Sequence, residues 1–263
     1  MYIAFFDSGL GGLNTLKVAL ARKPGEKYIY FGDTAHVPYG AKKPEEIQGF
    51  LTEAMASLLG YGLKALVLAC NTATSVAADF LRARYSLPII GMEPAVKPAV
   101  EYNAGLGRRI LLLVTVLTSK SERVAILRSR VDPQELIDSL PASELVECAE
   151  RLEFDQAAAE GLLRRMLRGR DLSAYSCVVL GCTHFNYFQT AIANVFPAGT
   201  KIMDGNEGTV RRLFELVGRD SPPAGDPAAG EVLLHLSDSG DSRKISAARA
   251  MIESVFPGPV KVI

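Results

Sequence analysis

Two cysteines of this 263-residue chain stand in closely matched sequence contexts. Residues 66–72 read LVLACNT and residues 178–184 read VVLGCTH, so Cys70 and Cys182 each follow an apolar run and precede small polar residues. This pattern predicts a buried strand that ends at a cysteine and is followed by a helix. A single cysteine of this kind is more often a packing residue, but the matched pair favours a chemical role.

Two opposed thiols are suited to inverting a carbon centre. A thiolate removes a proton from one face and a thiol returns a proton to the other, and the two groups exchange roles at each turnover. His184 follows Cys182 by two residues, and a nearby imidazolium or a helix N-terminus favours a thiolate. Charge that develops on the substrate needs hydrogen-bond donors, which Asn71, Thr72 and Thr183 can supply.

The first apolar run ends in the glycine-rich segment DSGLGG, which begins at Asp7. Such a loop between a strand and a helix can bind a dinucleotide, but Asn14 stands where the third glycine would be, and Asp7 would repel phosphate. The preferred interpretation is a tight turn where a substrate approaches the backbone, with Asp7 holding an ammonium group or assisting a thiol. Capping of the next helix by Asp7 and Ser8 is an equally good alternative.

A second polar loop covers residues 32–40 and contains Tyr39, which could reach a carboxylate, although Pro38, Tyr39 and Gly40 could also form a simple turn. The three histidines, His36, His184 and His235, lack metal-ligand spacing, and we expect no metal site. The remaining cysteines lack polar residues after them and are interpreted as packing residues: Cys148 and Cys177.

The elements that must position these residues alternate between short apolar runs and amphipathic helical patterns, which is typical of α/β proteins with parallel sheets. Strands are predicted at residues 3–6, 27–31, 66–69, 88–91, 110–115, 145–148, 177–180 and 232–236, and helices at 13–21, 44–59, 73–85 and 156–167. A Pro/Gly-rich stretch, residues 220–230, predicts a surface loop.

We therefore expect two pseudo-symmetric lobes, each with a mostly parallel sheet flanked by helices. The N-terminal lobe would comprise residues 1–95 with 207–263, and the C-terminal lobe residues 96–206. Ligands of such sheets bind at the carboxyl ends of the strands, so the active site is expected in the cleft between the lobes.

Composition excludes several partners. The 29 Lys and Arg residues balance the 29 Asp and Glu residues, so no net charge favours nucleic acid. The apolar runs are too short to span a membrane, and the first residues lack the features of an export signal. Four cysteines in such a chain are expected to be free thiols, and the expected location is cytoplasmic.

Motifs along nearly the whole chain resemble those of the glutamate racemases. The matching segments are Asp7-Ser8-Gly9, Gly32-Asp33-Thr34, Val37-Pro38-Tyr39-Gly40, Cys70-Asn71-Thr72, Gly91-Met92-Glu93-Pro94, Gly181-Cys182-Thr183-His184 and Ser237-Asp238-Ser239-Gly240-Asp241. The resemblance implies two α/β lobes, a homodimer, no cofactor and in particular no pyridoxal phosphate, and production of D-glutamate for peptidoglycan from a small acidic amino acid.

The resemblance also implies roles for individual residues. Cys70 and Cys182 would be the two acid/base groups, assisted by Asp7 and His184. The substrate would be held by residues that offer hydroxyl, amide or backbone groups: Ser8, Tyr39, Gly40, Asn71, Thr72, Thr183, Thr115 and Thr118. A helper glutamate of the family is expected near residue 156, where counting places Gln156, with Glu153 as a substitute after a local shift.

Three positions depart from the family pattern: Phe185-Asn186 follows His184 in place of Tyr-Pro, Gly205 follows Asp204 in place of Ser, and the polar residues 149–156 replace an apolar segment. Two alternatives therefore stay open. One is a racemase of aspartate, hydantoin or a related acid on the same fold. The other is a degenerate relative that binds an acidic metabolite or a protein without turnover.

Overall fold

The computed structural model describes residues 1–132, 134–218 and 230–263. Its first sheet has six parallel strands in the order β10-β9-β2-β1-β3-β4. Their bounds are β1 (Tyr2–Asp7), β2 (Lys27–Gly32), β3 (Leu63–Leu68), β4 (Ile89–Gly91), β9 (Glu231–Leu236) and β10 (Val260–Val262). The second sheet has four parallel strands in the order β6-β5-β7-β8, which are β5 (Arg109–Val114), β6 (Ile137–Pro141), β7 (Tyr175–Leu180) and β8 (Lys201–Met203).

Helices cover both faces of the first sheet. One face packs against α1 (Leu13–Arg22), α10 (Asn206–Val217) and α11 (Ser242–Glu253), and the other against α2 (Pro44–Leu59) and α3 (Asn71–Arg84). Alternate residues of β1 contribute to the two cores, with Phe5 in one and Phe6 in the other. Burial on both faces explains why these strands are apolar runs without alternation.

The second sheet is covered in the same way. One face packs against α7 (Ser143–Glu150), α8 (Gln156–Met166) and α9 (Gln189–Val195), and the other against α4 (Val96–Asn103) and α6 (Glu122–Val131). A short helix, α5 (Val116–Ser119), follows β5, and 3₁₀ segments cover Tyr39–Ala41, Leu172–Ala174 and Thr183–Phe188.

The two sheets repeat one topology. The order β2-β1-β3-β4 within the first corresponds strand for strand to β6-β5-β7-β8. Cys70 follows β3 and Cys182 follows β7, so the two thiols occupy equivalent places in the repeat. The predicted fold class, two mostly parallel sheets flanked by helices, is therefore confirmed.

Most predicted elements are present, but the strand predicted at residues 145–148 is wrong. Those residues lie within α7, where Leu145, Val146 and Ala149 form one buried helical face. The strands β6, β8 and β10 were not predicted; β8 and β10 contain only three residues each, which is too short for a clear sequence signal. The loop predicted at 220–230 lies, except for Gly230, outside the described residues.

No helix among the described residues is both long enough and apolar enough to cross a membrane. The described cysteines, Cys70, Cys148, Cys177 and Cys182, are all free thiols.

Candidate active site

A cavity of about 250 Å³ lies at the carboxyl ends of strands from both sheets. Eight of the expected site residues line it: Ser8, Tyr39, Gly40, Cys70, Thr72, Thr115, Cys182 and His184. Pro38, Ala41, Val116, Ser143, Val146 and Glu147 complete the wall. Among these described residues none is Lys or Arg, so an acidic ligand would be held by side-chain hydroxyl groups and backbone N–H groups.

Cys70 is fixed by the start of α3. It occupies the N-cap position, its Sγ accepts a hydrogen bond from the Ala73 N–H at 3.4 Å, and its thiol donates to the Ser8 hydroxyl at 3.6 Å. Burial, followed by the negative charge of Asp7, raises the pKa of the Cys70 thiol to about 12, although the Ala73 and Ser8 contacts oppose this change. The Cys70 thiol is therefore protonated at neutral pH.

Cys182 is paired with a histidine. Its Sγ lies 3.5 Å from Nδ1 of the buried His184, and the opposite ring nitrogen, Nε2, lies 2.7 Å from Oε1 of Glu150. Burial alone would lower the pKa of His184, but the hydrogen bonds with Cys182 and Glu150 raise it well above its ordinary value. Cys182, His184 and Glu150 therefore form one chain of hydrogen-bonded side chains.

Glu150 is the residue that the sequence interpretation missed. It ends α7, is buried, and accepts hydrogen bonds from the Leu10 N–H at 2.7 Å and from Lys244 Nζ at 3.0 Å in addition to its His184 contact. Burial would raise the pKa of Glu150, yet the His184 hydrogen bond and charge, the Leu10 N–H and Lys244 lower it to about 2. Glu150 is thus a carboxylate that orients the imidazole.

The two residues expected at this place lie elsewhere. Gln156 begins α8, where its side chain bonds backbone groups of Phe154, Tyr187 and Ala191. Glu153 is exposed and pairs with Arg151. A helical interpretation of residues 143–150 would have revealed Glu150, because it shares the face that turns Ser143, Val146 and Glu147 towards the cavity.

Asp7 lies behind the cavity wall at the end of β1. Its Oδ2 accepts from the Gly9 N–H at 3.0 Å, and its Oδ1 accepts from the Thr183 hydroxyl at 3.2 Å. Burial raises the pKa of Asp7, while the charge of His184 and the backbone N–H groups of Gly9 and Gly12 oppose the rise. Asp7 and Thr183 are therefore hydrogen-bonded to each other and do not line the cavity themselves.

The glycine-rich loop makes room for side chains of the opposite sheet. A Cβ at Gly11 would lie 2.5 Å from Thr183 Oγ1 and 2.6 Å from His184 Nδ1, and one at Gly9 would overlap the Glu150 carboxylate. The loop was expected to admit a substrate to the backbone. The structure instead gives these glycines Glu150, Thr183 and His184 as neighbours, and of the segment DSGLGG only Ser8 lines the cavity.

Three threonine hydroxyls form a closed triangle between the sheets. Thr72 Oγ1 lies 3.1 Å from both Thr115 Oγ1 and Thr118 Oγ1, which are 2.9 Å from each other. Thr72 and Thr115 line the cavity, whereas Thr118 lies behind them. Gly40 packs against Thr115, since a Cβ at Gly40 would lie 2.9 Å from Thr115 Cβ.

Two expected ligand-binding side chains have other surroundings. The Tyr39 hydroxyl donates to Asp33 Oδ2 at 2.6 Å, so the carboxylate that it reaches belongs to the protein. Asn71 is buried and lines a smaller neighbouring cavity between α3 and α6; its Nδ2 has no hydrogen-bond partner among the described residues. Within the described ranges no three His, Cys, Asp or Glu side chains are grouped so that they could hold a metal ion.

Comparisons with known proteins identify the family of the chain. The family model described as Asp/Glu/Hydantoin racemase matches residues 14–213. A glutamate racemase from Halothermothrix orenii is 44% identical over 245 residues, covering 93% of this chain and 96% of the relative, and one from Campylobacter curvus is 44% identical over 223 residues, covering 83% and 84%. The crystal structure of Escherichia coli glutamate racemase with L-glutamate and the activator UDP-MurNAc-Ala aligns with a TM-score of 0.83 at 29% identity, covering 99% of this chain and 97% of that one.

Proposed function

The chain belongs to the Asp/Glu/Hydantoin racemase family, and on that premise we propose that it interconverts L-glutamate and D-glutamate through Cys70 and Cys182, without pyridoxal phosphate. The observation that carries the proposal is that two thiols from equivalent ends of two repeated sheets line one cavity. The relatives named glutamate racemase support glutamate as the substrate. D-glutamate made in this way would supply peptidoglycan synthesis.

The reaction would begin with the two thiols in different protonation states. The His184 imidazolium favours a thiolate at Cys182, while Cys70 carries its proton. The Cys182 thiolate would take the α-proton of one enantiomer, and the Cys70 thiol would return a proton to the opposite face. The electron pair left on the α-carbon delocalises into the α-carboxylate, whose growing charge needs the hydroxyl and backbone donors of the wall. The product leaves with the protonation states of the thiols exchanged.

Roles for the remaining residues follow from their positions in this proposal. Ser8, Thr72 and Thr115 present hydroxyls to the cavity and would hold the carboxylates of the substrate. Asp7, Thr118 and Thr183 would support the thiols and the hydroxyl triangle from behind. The helper carboxylate is Glu150, so the argument for a degenerate binding protein, which depended on a missing helper, loses its support.

The test is incubation of the purified protein with L-glutamate and, separately, D-glutamate in D₂O without added cofactor. The α-proton signal and the chirality are followed by NMR and chiral chromatography. We expect deuterium at the α-carbon together with the opposite enantiomer, and loss of racemisation in Cys70→Ser and in Cys182→Ser. Cys148→Ser, a half-buried thiol away from the cavity, serves as the matched control and should keep activity.

Three other outcomes would change the proposal. Full activity in either cysteine variant would contradict the two-thiol mechanism. Exchange with aspartate or a hydantoin and none with glutamate would preserve the mechanism and replace the substrate. Binding of glutamate without exchange would favour the degenerate binder.

A homodimer and a cytoplasmic location are also part of the proposal, and both depend on the family resemblance alone. Light scattering coupled to size-exclusion chromatography tests the first: a mass of twice 28.3 kDa is expected, and a monomer would contradict it.

A further inference from the structure

Glu150 connects the two halves of the protein. Its helix, α7, packs on the second sheet, and so does the 3₁₀ segment that contains its partner, His184. Its two other hydrogen-bond donors come from elements that pack on the first sheet: the Leu10 N–H in the loop after β1, and Lys244 Nζ on α11. The carboxylate that orients the imidazole is therefore itself held from the opposite half.

Lys244 is built into this position. It lies in the first turn of α11, where the Asp241 side chain caps the helix and accepts from the Lys244 N–H at 3.2 Å. Only 13% of the Lys244 side chain is exposed, and its Nζ lies 3.0 Å from Glu150 Oε2. An ammonium group this far from water is retained at low cost only when it is paired, and Glu150 supplies the pairing.

The three hydrogen bonds of Glu150 use both of its carboxylate oxygens. Oε1 faces His184 Nε2 and the Leu10 N–H, while Oε2 faces Lys244. A carboxylate anchored at one oxygen cannot rotate away from the group bound at the other. Without Lys244, Oε2 would lack its charged partner, and the carboxylate would be free to turn or to take up a proton.

We infer that Lys244 is a positioning residue of the racemase reaction: by holding Glu150 Oε2 from α11, it keeps Oε1 on His184 and thereby keeps the imidazolium against Cys182. The inference rests on the proposed function, since it makes Lys244 a support for Cys182, one of the two proposed acid/base groups. Lys244 lies outside the cavity wall and touches no reacting atom.

Charges around Glu150 set the direction of the expected effect. His184 and Tyr187 face it from the 3₁₀ segment, Lys244 from α11, Asp7 from β1 and Tyr30 from β2. Lys244 and the His184 imidazolium are the cations of this group, and Asp7 adds a second anion. Without the Lys244 charge the Glu150 carboxylate is less favoured, so the His184 imidazolium loses part of the anion that stabilises it. Alkylation of Cys182 should therefore require a higher pH.

The experiment compares Lys244→Met, which keeps the unbranched side chain but removes its charged end, with Lys244→Arg, which keeps the charge. Arg249→Met on the same helix is the control, because Arg249 is exposed and, among the described residues, pairs only with Glu253. Two quantities are measured: kcat/KM for both enantiomers as a function of pH, and the pH midpoint of alkylation by iodoacetamide at Cys182 and at Cys70, resolved by peptide mass spectrometry.

For Lys244→Met we expect the acid limb of kcat/KM and the alkylation midpoint of Cys182 to move up together by roughly half a pH unit or more, below the 1–3 units that a directly neighbouring charge exerts. The Cys70 midpoint should move less. Lys244→Arg should restore the wild-type profile, and Arg249→Met should leave it unchanged. Because the equilibrium constant of racemisation is one, kcat/KM must change equally in both directions.

An unmoved Cys182 midpoint in Lys244→Met would overturn the inference, whatever happens to the rate. The inference would also be overturned if Lys244→Met and Lys244→Arg lost activity equally while the pH dependence of kcat/KM stayed unchanged. That result would indicate that Lys244 contributes only through packing. The alkylation measurement needs no turnover. A wild-type protein that is inactive on glutamate would therefore refute the proposed function, while the Lys244 inference would still be tested.

Discussion

Gly9 lies directly against the Glu150 carboxylate, although Gly9 is in the loop after β1 of the first sheet and Glu150 ends α7, which packs on the second sheet. A Cβ at Gly9 would fall well inside van der Waals contact with Oε1, the oxygen that also meets His184 and the Leu10 N–H. Glu150 cannot give way easily, since three hydrogen bonds hold it in a buried place. The glycine is therefore required by the neighbouring side chain and not by its own backbone.

Gly9→Ala should consequently lower both stability and activity. The added methyl group must displace Glu150 from His184, and overpacking of this kind costs about 1–3 kcal/mol. Urea denaturation and kcat on L-glutamate measure the two effects. Gly208→Ala in α10 is the control, because no atom of the described residues lies within 4 Å of a Cβ there, and that variant should be as stable as the wild type or more so. Equal behaviour of the two variants would show that Glu150 can move without cost.

Glu150→Gln should reduce kcat by roughly 100-fold with a smaller change in KM, because the neutral amide cannot stabilise the imidazolium that favours the Cys182 thiolate. Steady-state kinetics in both directions measure this. Glu153→Gln, three residues further along and exposed, should keep the wild-type kcat. A normal rate in Glu150→Gln would remove Glu150 from the mechanism.

Acid should destabilise the protein partly through Glu150. Its pKa of about 2 in the folded state lies below its ordinary value of 4.5, so the stabilisation is complete above pH 4.5 and is lost as the pH falls towards 2. The amount is at most about 3.5 kcal/mol. The free energy of unfolding, measured in urea between about pH 3 and pH 7, should fall less steeply with acid in Glu150→Gln than in the wild type. Parallel curves would contradict the buried ion pair.

His184 acts in the opposite sense. Its pKa is raised in the folded protein, so its stabilising contribution is complete below its ordinary value of 6.5 and is lost as the pH rises through the folded value. The two contributions are therefore both complete between about pH 4.5 and 6.5, where the Glu150–His184 pair should contribute most to stability.

Gly40→Ala should weaken glutamate binding while leaving the fold intact. The new Cβ would lie 2.9 Å from Thr115 Cβ, so Thr115 must shift within its hydroxyl triangle, and the methyl group narrows the cavity. We expect KM to rise about tenfold, a loss of roughly 1.4 kcal/mol in binding. Gly49→Ala lies within α2, where a Cβ meets no atom of the described part of the chain within 4 Å; it should leave KM unchanged and stabilise the protein by about 0.5–1 kcal/mol. An unchanged KM in Gly40→Ala would show that Thr115 does not contact the substrate.

Cys70 and Cys182 could be predicted as site residues because the pattern that indicates them lies within a few neighbouring residues. An apolar run followed by a cysteine and small polar residues predicts the end of a strand. The order of the strands then brings Cys70 and Cys182 to one cavity. Glu150 and Lys244 could not be found in this way. Their contact joins residues 94 positions apart, and the contact from Leu10 to Glu150 spans 140.

The misassigned strand at residues 145–148 explains the rest of the difference. Four residues, Leu-Val-Glu-Cys, satisfy either a strand or a helix, and only the continuation through Ala149 and Glu150 decides for the helix. A strand at these residues does not place Ser143, Val146 and Glu147 on the same face as Glu150, so the strand prediction could not reveal Glu150.

The order of the strands has a consequence for synthesis of the chain. β2 pairs with β1 on one side and with β9 on the other, and β9 begins at Glu231, after every element of the second sheet. About 200 residues separate β2 from β9, which a ribosome takes roughly 10 to 40 s to add. Throughout that interval the nascent protein carries an open, apolar strand edge of the kind on which chains aggregate and chaperones act. Chains interrupted before Glu231 should accordingly accumulate as chaperone-bound or insoluble species, even though their second sheet is complete.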